Sequence, residues 1–183
     1  MGVLLAFGLR RAALSVTATR LSVNPGDSHA LATRAHLLGQ DGAFAEAIVL
    51  QQRLVQRRPA DAVAWFNLGY LQERLGQWIP AERAFRRAAD LAPHLDRAWY
   101  GLGLCLVGQS RLAEAIEPLQ RSTQLQPMNP SGWYQLARVQ ADRGETEQVR
   151  SIIAHLYGFE PRVAAHLARE TGLEPGVCSG SAG

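Results

Sequence analysis

Lysine is absent from this 183-residue chain: all 19 basic residues are arginine, set against 16 acidic ones. An excess of three cations is no nucleic-acid footprint, which needs a clustered basic face as well as a basic isoelectric point. Cysteine is nearly absent too. Cys105 and Cys178 stand far apart in no metal-ligand spacing, which excludes a disulfide framework or a zinc site and makes a reducing compartment the default. No apolar run approaches the roughly 20 residues that span a bilayer; the longest, at the N-terminus, breaks at Arg10. Catalytic signatures are missing as well. His29, His36, His94, His155 and His166 fall in no HExxH spacing, and there is no G-x-S-x-G and no phosphate-cradling loop. These gaps point to a soluble, non-enzymatic chain that needs no cofactor, metal or small-molecule substrate. Missing lysine beside abundant Ala, Leu, Gly and Arg fits the coding bias of a GC-rich, bacterial source and a cytoplasmic location.

What is present is repetition. Trp65, Trp99 and Trp133 recur every 34 residues, and Pro25, Pro59, Pro93, Pro127 and Pro161 keep the same beat. The period divides the chain into a weak repeat at 28–61, clear repeats at 62–95 and 96–129, and a drifting one at 130–163. Within 62–95, Trp65, Leu68 and Gly69 share one face of a first helix, and Ala81, Phe85 and Ala88 share one face of a second. Gly69 and Ala81 are expected to be small because the two helices approach closely there. Gly42 marks an inter-helix turn. Pro80 suits a first helical turn, whereas Pro118 sits nearer mid-helix, where a slight kink is expected. In the weak repeat Leu31 replaces the Trp and Arg34 replaces a Leu.

The period, with W-x2-L-G, A-x3-F and P at their set places, resembles the tetratricopeptide-repeat (TPR) family. The resemblance implies an all-α fold, an α-solenoid of stacked antiparallel helix pairs forming a right-handed superhelix. It also implies a protein-interaction scaffold or adaptor that holds a partner peptide or helix in a concave groove, such as a co-chaperone or assembly factor. The alternative is the recognition subunit of a secretion or transferase complex. The tryptophans are expected in the core. Phe66 and Tyr70 are rotated by about 100° and 140° from Trp65 at about 100° per residue, away from the second helix. Tyr100 with Leu104, and Tyr134 with Arg138, occupy the same two places in later repeats. By resemblance, Phe66, Tyr70, Tyr100, Leu104, Val107, Tyr134 and Arg138 line the groove, and Tyr and Arg often dominate interface energies. Asn67 and Arg97 match in kind a clamp by which some family members hold a chaperone's C-terminal carboxylate. Ala32, His36 and Gly101 depart from that pattern and argue against it.

Arg57, Arg58, Arg83, Arg86 and Arg87 cluster on second helices, interrupted by Glu82 and Asp90, and read as a solvated face more than a nucleic-acid or anionic surface. Residues 1–27 contain a partial N-terminal helix, in phase with the repeats through Ala13 and Pro25. Leu5, Leu9, Ala12 and Val16 supply its expected apolar face. Because residues 1–24 lack acidic side chains, organelle targeting or membrane-surface association is the alternative there. Residues 162–173 are expected as a C-terminal capping helix using Val163, His166 and Leu167, stopped at Gly172, with a disordered tail at 174–183. Cys105 is expected buried and Cys178 exposed in that tail.

Overall fold

The computed structural model describes the backbone of residues 2–174 and the side chains from residue 9 onward. The tail from 175, including Cys178, lies outside the described residues. Among the described residues there are ten α-helices and no strand: α1 (Gly2–Val23), α2 (Ser28–Gln40), α3 (Phe44–Arg57), α4 (Ala62–Arg74), α5 (Trp78–Leu91), α6 (Asp96–Gly108), α7 (Leu112–Leu125), α8 (Pro130–Asp142), α9 (Thr146–Tyr157) and α10 (Pro161–Thr171). The starts of α2, α4, α6 and α8 are 34 residues apart, and so are those of α3, α5, α7 and α9.

Local chemistry sets these boundaries. The Asp27 carboxylate accepts from the His29 and Ala30 N–H groups, Asp61 from Ala64, and Asn129 from Ser131, so three first helices carry a side-chain cap. At the same place before α6, Leu95 makes no side-chain cap. The bond from Ala30, ahead of the nearby Arg20, holds the Asp27 carboxyl below its usual range although partial burial opposes this. Between paired helices the chain turns through the left-handed region. Gly42, Gly76 and Gly144 have φ of 78°, 69° and 78°, and the equivalent Ser110 has φ 59° with a side chain that disfavours it. Pro118 lies inside α7, which remains one helix from Leu112 to Leu125.

The chain divides into two compact units, Met1–Pro93 and His94–Gly183. In the first, α1 packs on α2, α2 on α3, α3 on α4 and α4 on α5. Its core runs through Leu31, Leu38, Ala47, Leu54, Val55, Ala64, Leu68, Leu71 and Ala84. Gln51 is buried at the place Phe85 and Leu119 hold in later repeats, and its Nε2 donates to the Ala64 carbonyl at 2.8 Å. In the second unit, α6 packs on α7, α7 on α8, α8 on α9 and α9 on α10, with α6 and α10 both touching α8. Cys105, Leu106, Leu119, Ile153, Leu156 and Leu167 are buried there. Each unit is therefore a stack of antiparallel helix pairs, the α-solenoid arrangement.

Two expectations need correction. The face of α1 that packs is Ala13, Leu14, Thr17 and Leu21, whereas Leu9 is 72% and Val16 58% exposed and Ala12 is exposed beside them. Leu5 lies among the side chains not described. The packed face is rotated by about one residue, roughly 100°, from the more hydrophobic stripe. Polar anchors hold that rotation: Arg10 donates to the Leu37 carbonyl at 2.8 Å and pairs with Asp41 at 2.9 Å, and Arg34 donates to the Leu14 carbonyl at 2.7 Å. The tryptophans, second, are half-buried rather than core. Trp65 Nε1 donates to the Pro59 carbonyl at 2.9 Å and Trp133 Nε1 to the Pro127 carbonyl at 2.8 Å. Each indole thus ties the start of a first helix to the proline closing the preceding repeat.

Candidate functional site

The nine residues singled out from the sequence lie on α4, α6 and α8. In the first unit Phe66 does not face away from α5: its ring lies 5.8 Å from that of Phe85, tilted by 51°. The 100° rotation from Trp65 still leaves a long side chain within reach of the second helix. Asn67 and Tyr70 are exposed and line a pocket of about 290 Å³ with His36, Gln40, Gln51 and Leu71. Gln40 Nε2 lies 2.9 Å from His36 Nε2 on its rim. Tyr70 accepts a hydrogen bond from Arg74 at 3.0 Å, and the Arg74 guanidinium lies 4.9 Å from the Phe44 ring centre. Tyr70 is therefore already oriented before any partner arrives.

In the second unit Arg97 is exposed, and Tyr100, Leu104 and Val107 are half-buried along α6. Because α6 and α8 touch, Tyr100 and Tyr134 come to one pocket of about 460 Å³. Its other walls are Pro130, Ser131 and Gln135 of α8 and Arg162, Val163 and His166 of α10. The His166 ring stacks on Tyr134 at 5.9 Å with 15° between planes. Behind the pocket, Glu170 gathers three groups: the Tyr134 hydroxyl donates to it, Arg138 Nε lies 3.3 Å from it, and His166 Nε2 3.9 Å. The bond to Glu170, then burial, raises Tyr134 above its ordinary value near 10, with Arg138 opposing. Arg138 thus faces a carboxylate of its own chain.

Arg162, His166 and Glu170 were not recognised as site residues, because they fall beyond the four repeats and no recurrence marks them. Their only signal was the placement of a polar helix, PRVAAHLARET, directly after the last in-phase proline. Among the described residues no group of His, Cys, Asp and Glu could hold a metal ion. No described helix is long and apolar enough to cross a membrane. The arginine clusters are partly neutralised locally, Arg86 by Glu82 at 2.9 Å and Arg58 by Asp61 at 3.4 Å.

Residues 74–130 match the family model described as "Tetratricopeptide repeat". The chain belongs to the tetratricopeptide-repeat family. This TPR chain is 27% identical over 129 residues to tetratricopeptide repeat-containing protein trd-1 of Caenorhabditis elegans, covering 70% of this chain and 17% of that one. It is 29% identical over 96 residues to tetratricopeptide repeat protein 33 of Mus musculus, covering 52% and 37%. The chain therefore spans well under half the length of these curated relatives. Among solved structures, YrrB, a TPR protein with an unusual peptide-binding site, superposes with a TM-score of 0.79 at 18% identity, covering 92% of this chain and 88% of that one. The first TPR of Spaghetti, solved bound to an HSP90 peptide, superposes with a TM-score of 0.62 at 20% identity, covering 64% and 93%. At such identities the likeness shows the TPR fold.

Proposed function

We propose that this TPR protein is a non-catalytic scaffold that binds a segment of a partner protein on the exposed first-helix faces. The observation that carries this reading is the placement of Asn67 and Tyr70 on one pocket and of Tyr100 and Tyr134 on another. Their α4, α6 and α8 neighbours Leu68, Leu102 and Leu136 are spent on the core. Two structural neighbours described as peptide-binding or peptide-bound support it. Leu104 and Val107 supply further half-buried apolar surface on α6, and Arg97 an exposed guanidinium. A co-chaperone or assembly-factor role is one form of this reading, and a recognition subunit of a larger complex is another.

The test is capture of partner proteins from the source cell's lysate on immobilised chain, with Tyr70→Ala, Tyr100→Ala and Tyr134→Ala variants alongside. Loss of specific bands with helicity and melting retained supports the assignment. Unchanged capture by the folded triple variant overturns it.

A further inference from the structure

The pocket between α8 and α10 has a built chemical polarity. One side is apolar and aromatic: Tyr100, Tyr134, Pro130 and Val163. The other carries donors. Arg162 is exposed and has no ion-pair or hydrogen-bond partner among the described residues. Its neighbours in the wall, Ser131 and Gln135, add polar hydrogen-bonding groups, and His166 adds a ring nitrogen. The first turns of both helices, Pro130–Ser131 and Arg162–Val163, border the space, so the positive ends of two helix dipoles lie beside it. The one carboxylate near the pocket, Glu170, is already held by Arg138 and the Tyr134 hydroxyl, which reduces its repulsion of an incoming anion.

We infer that this pocket takes an internal acidic segment of a partner protein, with an aromatic side chain against Tyr100, Tyr134 and Val163 and a flanking Glu or Asp carboxylate on the Arg162 guanidinium. This rests on the reading of the first-helix faces as a protein-binding surface and names the chemistry of its second-unit part. At about 460 Å³ the space lies in the range of ligand-sized sites, about 300–1,000 Å³. Arg162 is suited to the role because its planar donors match a carboxylate bidentately. Nothing in the repeat pattern requires a cation here: the residue follows the in-phase Pro161 on α10, whose packing is carried by the buried Ala164 and Leu167. The site thus differs in position from the clamp tested at Asn67 and Arg97.

The experiment titrates the isotope-labelled full chain with acetyl-Ala-Glu-Phe-Glu-Ala-amide, whose only charges are side-chain carboxylates, and with the matching Gln-Phe-Gln peptide. Amide signals of Ser131, Gln135, Arg162 and His166 are expected to shift with the Glu peptide, and the Gln peptide is expected to bind about tenfold more weakly. Arg162→Gln, on an exposed side chain, should erase most of that preference while leaving the melting temperature unchanged. Equal affinity for both peptides, or an unaltered preference in Arg162→Gln, overturns the acidic assignment. Shifts confined to Asn67 and Tyr70 overturn the pocket and leave the scaffold reading standing. A free C-terminal carboxylate that binds where the amidated peptide does not overturns the internal-segment claim, and an absence of shifts at any reachable concentration overturns the inference entirely.

Discussion

Gly69 lies so close to the ring of Phe85 that a β-carbon placed on it would come within 2.9 Å of the Phe85 Cδ1. Gly103 stands in the same relation to Leu119, at 2.6 Å from its Cγ. A first helix and its second helix therefore fit as small against large. Gly69→Ala should destabilise by about 1–2 kcal/mol, because overpacking outweighs the roughly 1 kcal/mol helix-propensity gain. Gly69→Ala with Phe85→Ile imitates the last repeat, where Ala137 and Ile153 hold the equivalent places, both fully buried. The double variant should recover part of the loss in a chemical-denaturation cycle. Strict additivity would show that the two side chains do not compete for that space.

Ser110 is the one described non-glycine residue with positive φ, at the turn where the other repeats place glycine. Ser110→Gly should raise stability by about 0.5–1 kcal/mol, since relief of the left-handed strain exceeds the added unfolded-state entropy. The midpoint of urea unfolding at constant slope is the measure. A lower midpoint would mean that the serine hydroxyl contributes more than the strain costs.

The indole bond to the preceding proline predicts an effect that packing alone does not. Trp133→Phe keeps an aromatic ring but removes the donor to Pro127, at an expected cost of about 0.5–1.5 kcal/mol. Trp65→Phe should behave alike through Pro59. Thermal unfolding followed by circular dichroism checks both, and unchanged melting in both would remove the indole N–H from the account.

Tyr134 should ionise later than the other tyrosines, because its hydroxyl bond to Glu170 and burial favour the neutral form. Its folded value is raised, so the stabilisation from that bond is complete below about pH 10 and lost as pH climbs through the raised value. Carbon-detected titration of the tyrosine Cζ signals reads this directly. Glu170→Gln should bring Tyr134 back toward the ordinary range, and a Tyr134 titration indifferent to that change would separate the shift from Glu170.

The packing of α1 can be read from substitutions on its two sides. Leu14→Ala, on the inward side, should cost about 1–2 kcal/mol, given that the side chain is half-buried against the core. Val16→Ser, on the exposed side, should change stability by less than about 0.5 kcal/mol. The reverse order would restore the stripe of Leu9, Ala12 and Val16 as the packed face.

Period and packing were legible together wherever a residue recurs. Ala81, Phe85, Leu68 and Gly69 could be placed because their counterparts at Ala115, Leu119, Leu102 and Gly103 meet the same demand. In α1 the reading slipped because both sides are apolar: hydrophobicity favoured Leu9 and Val16, whereas Ala13, in phase with Ala47 and Ala81, marked the inward side. The tryptophans misled for a different reason, since recurrence reports a shared structural duty and is silent on depth. Tyr100 and Tyr134 were found because the repeats vary there. Arg162 and His166 were not, because α10 has no earlier copy in the chain with which to compare it.

The even spacing of the helix starts has a genetic consequence. A deletion or duplication of one residue inside a helix turns everything beyond it by about 100°, exchanging side chains between interior and solvent. An unequal crossover between equivalent codons of two repeats removes or adds 34 residues and turns nothing. Such a gene can change length in whole modules while each surviving side chain keeps its orientation, and repeats as unlike as 28–61 and 62–95 can drift apart within one reading frame without losing alignment.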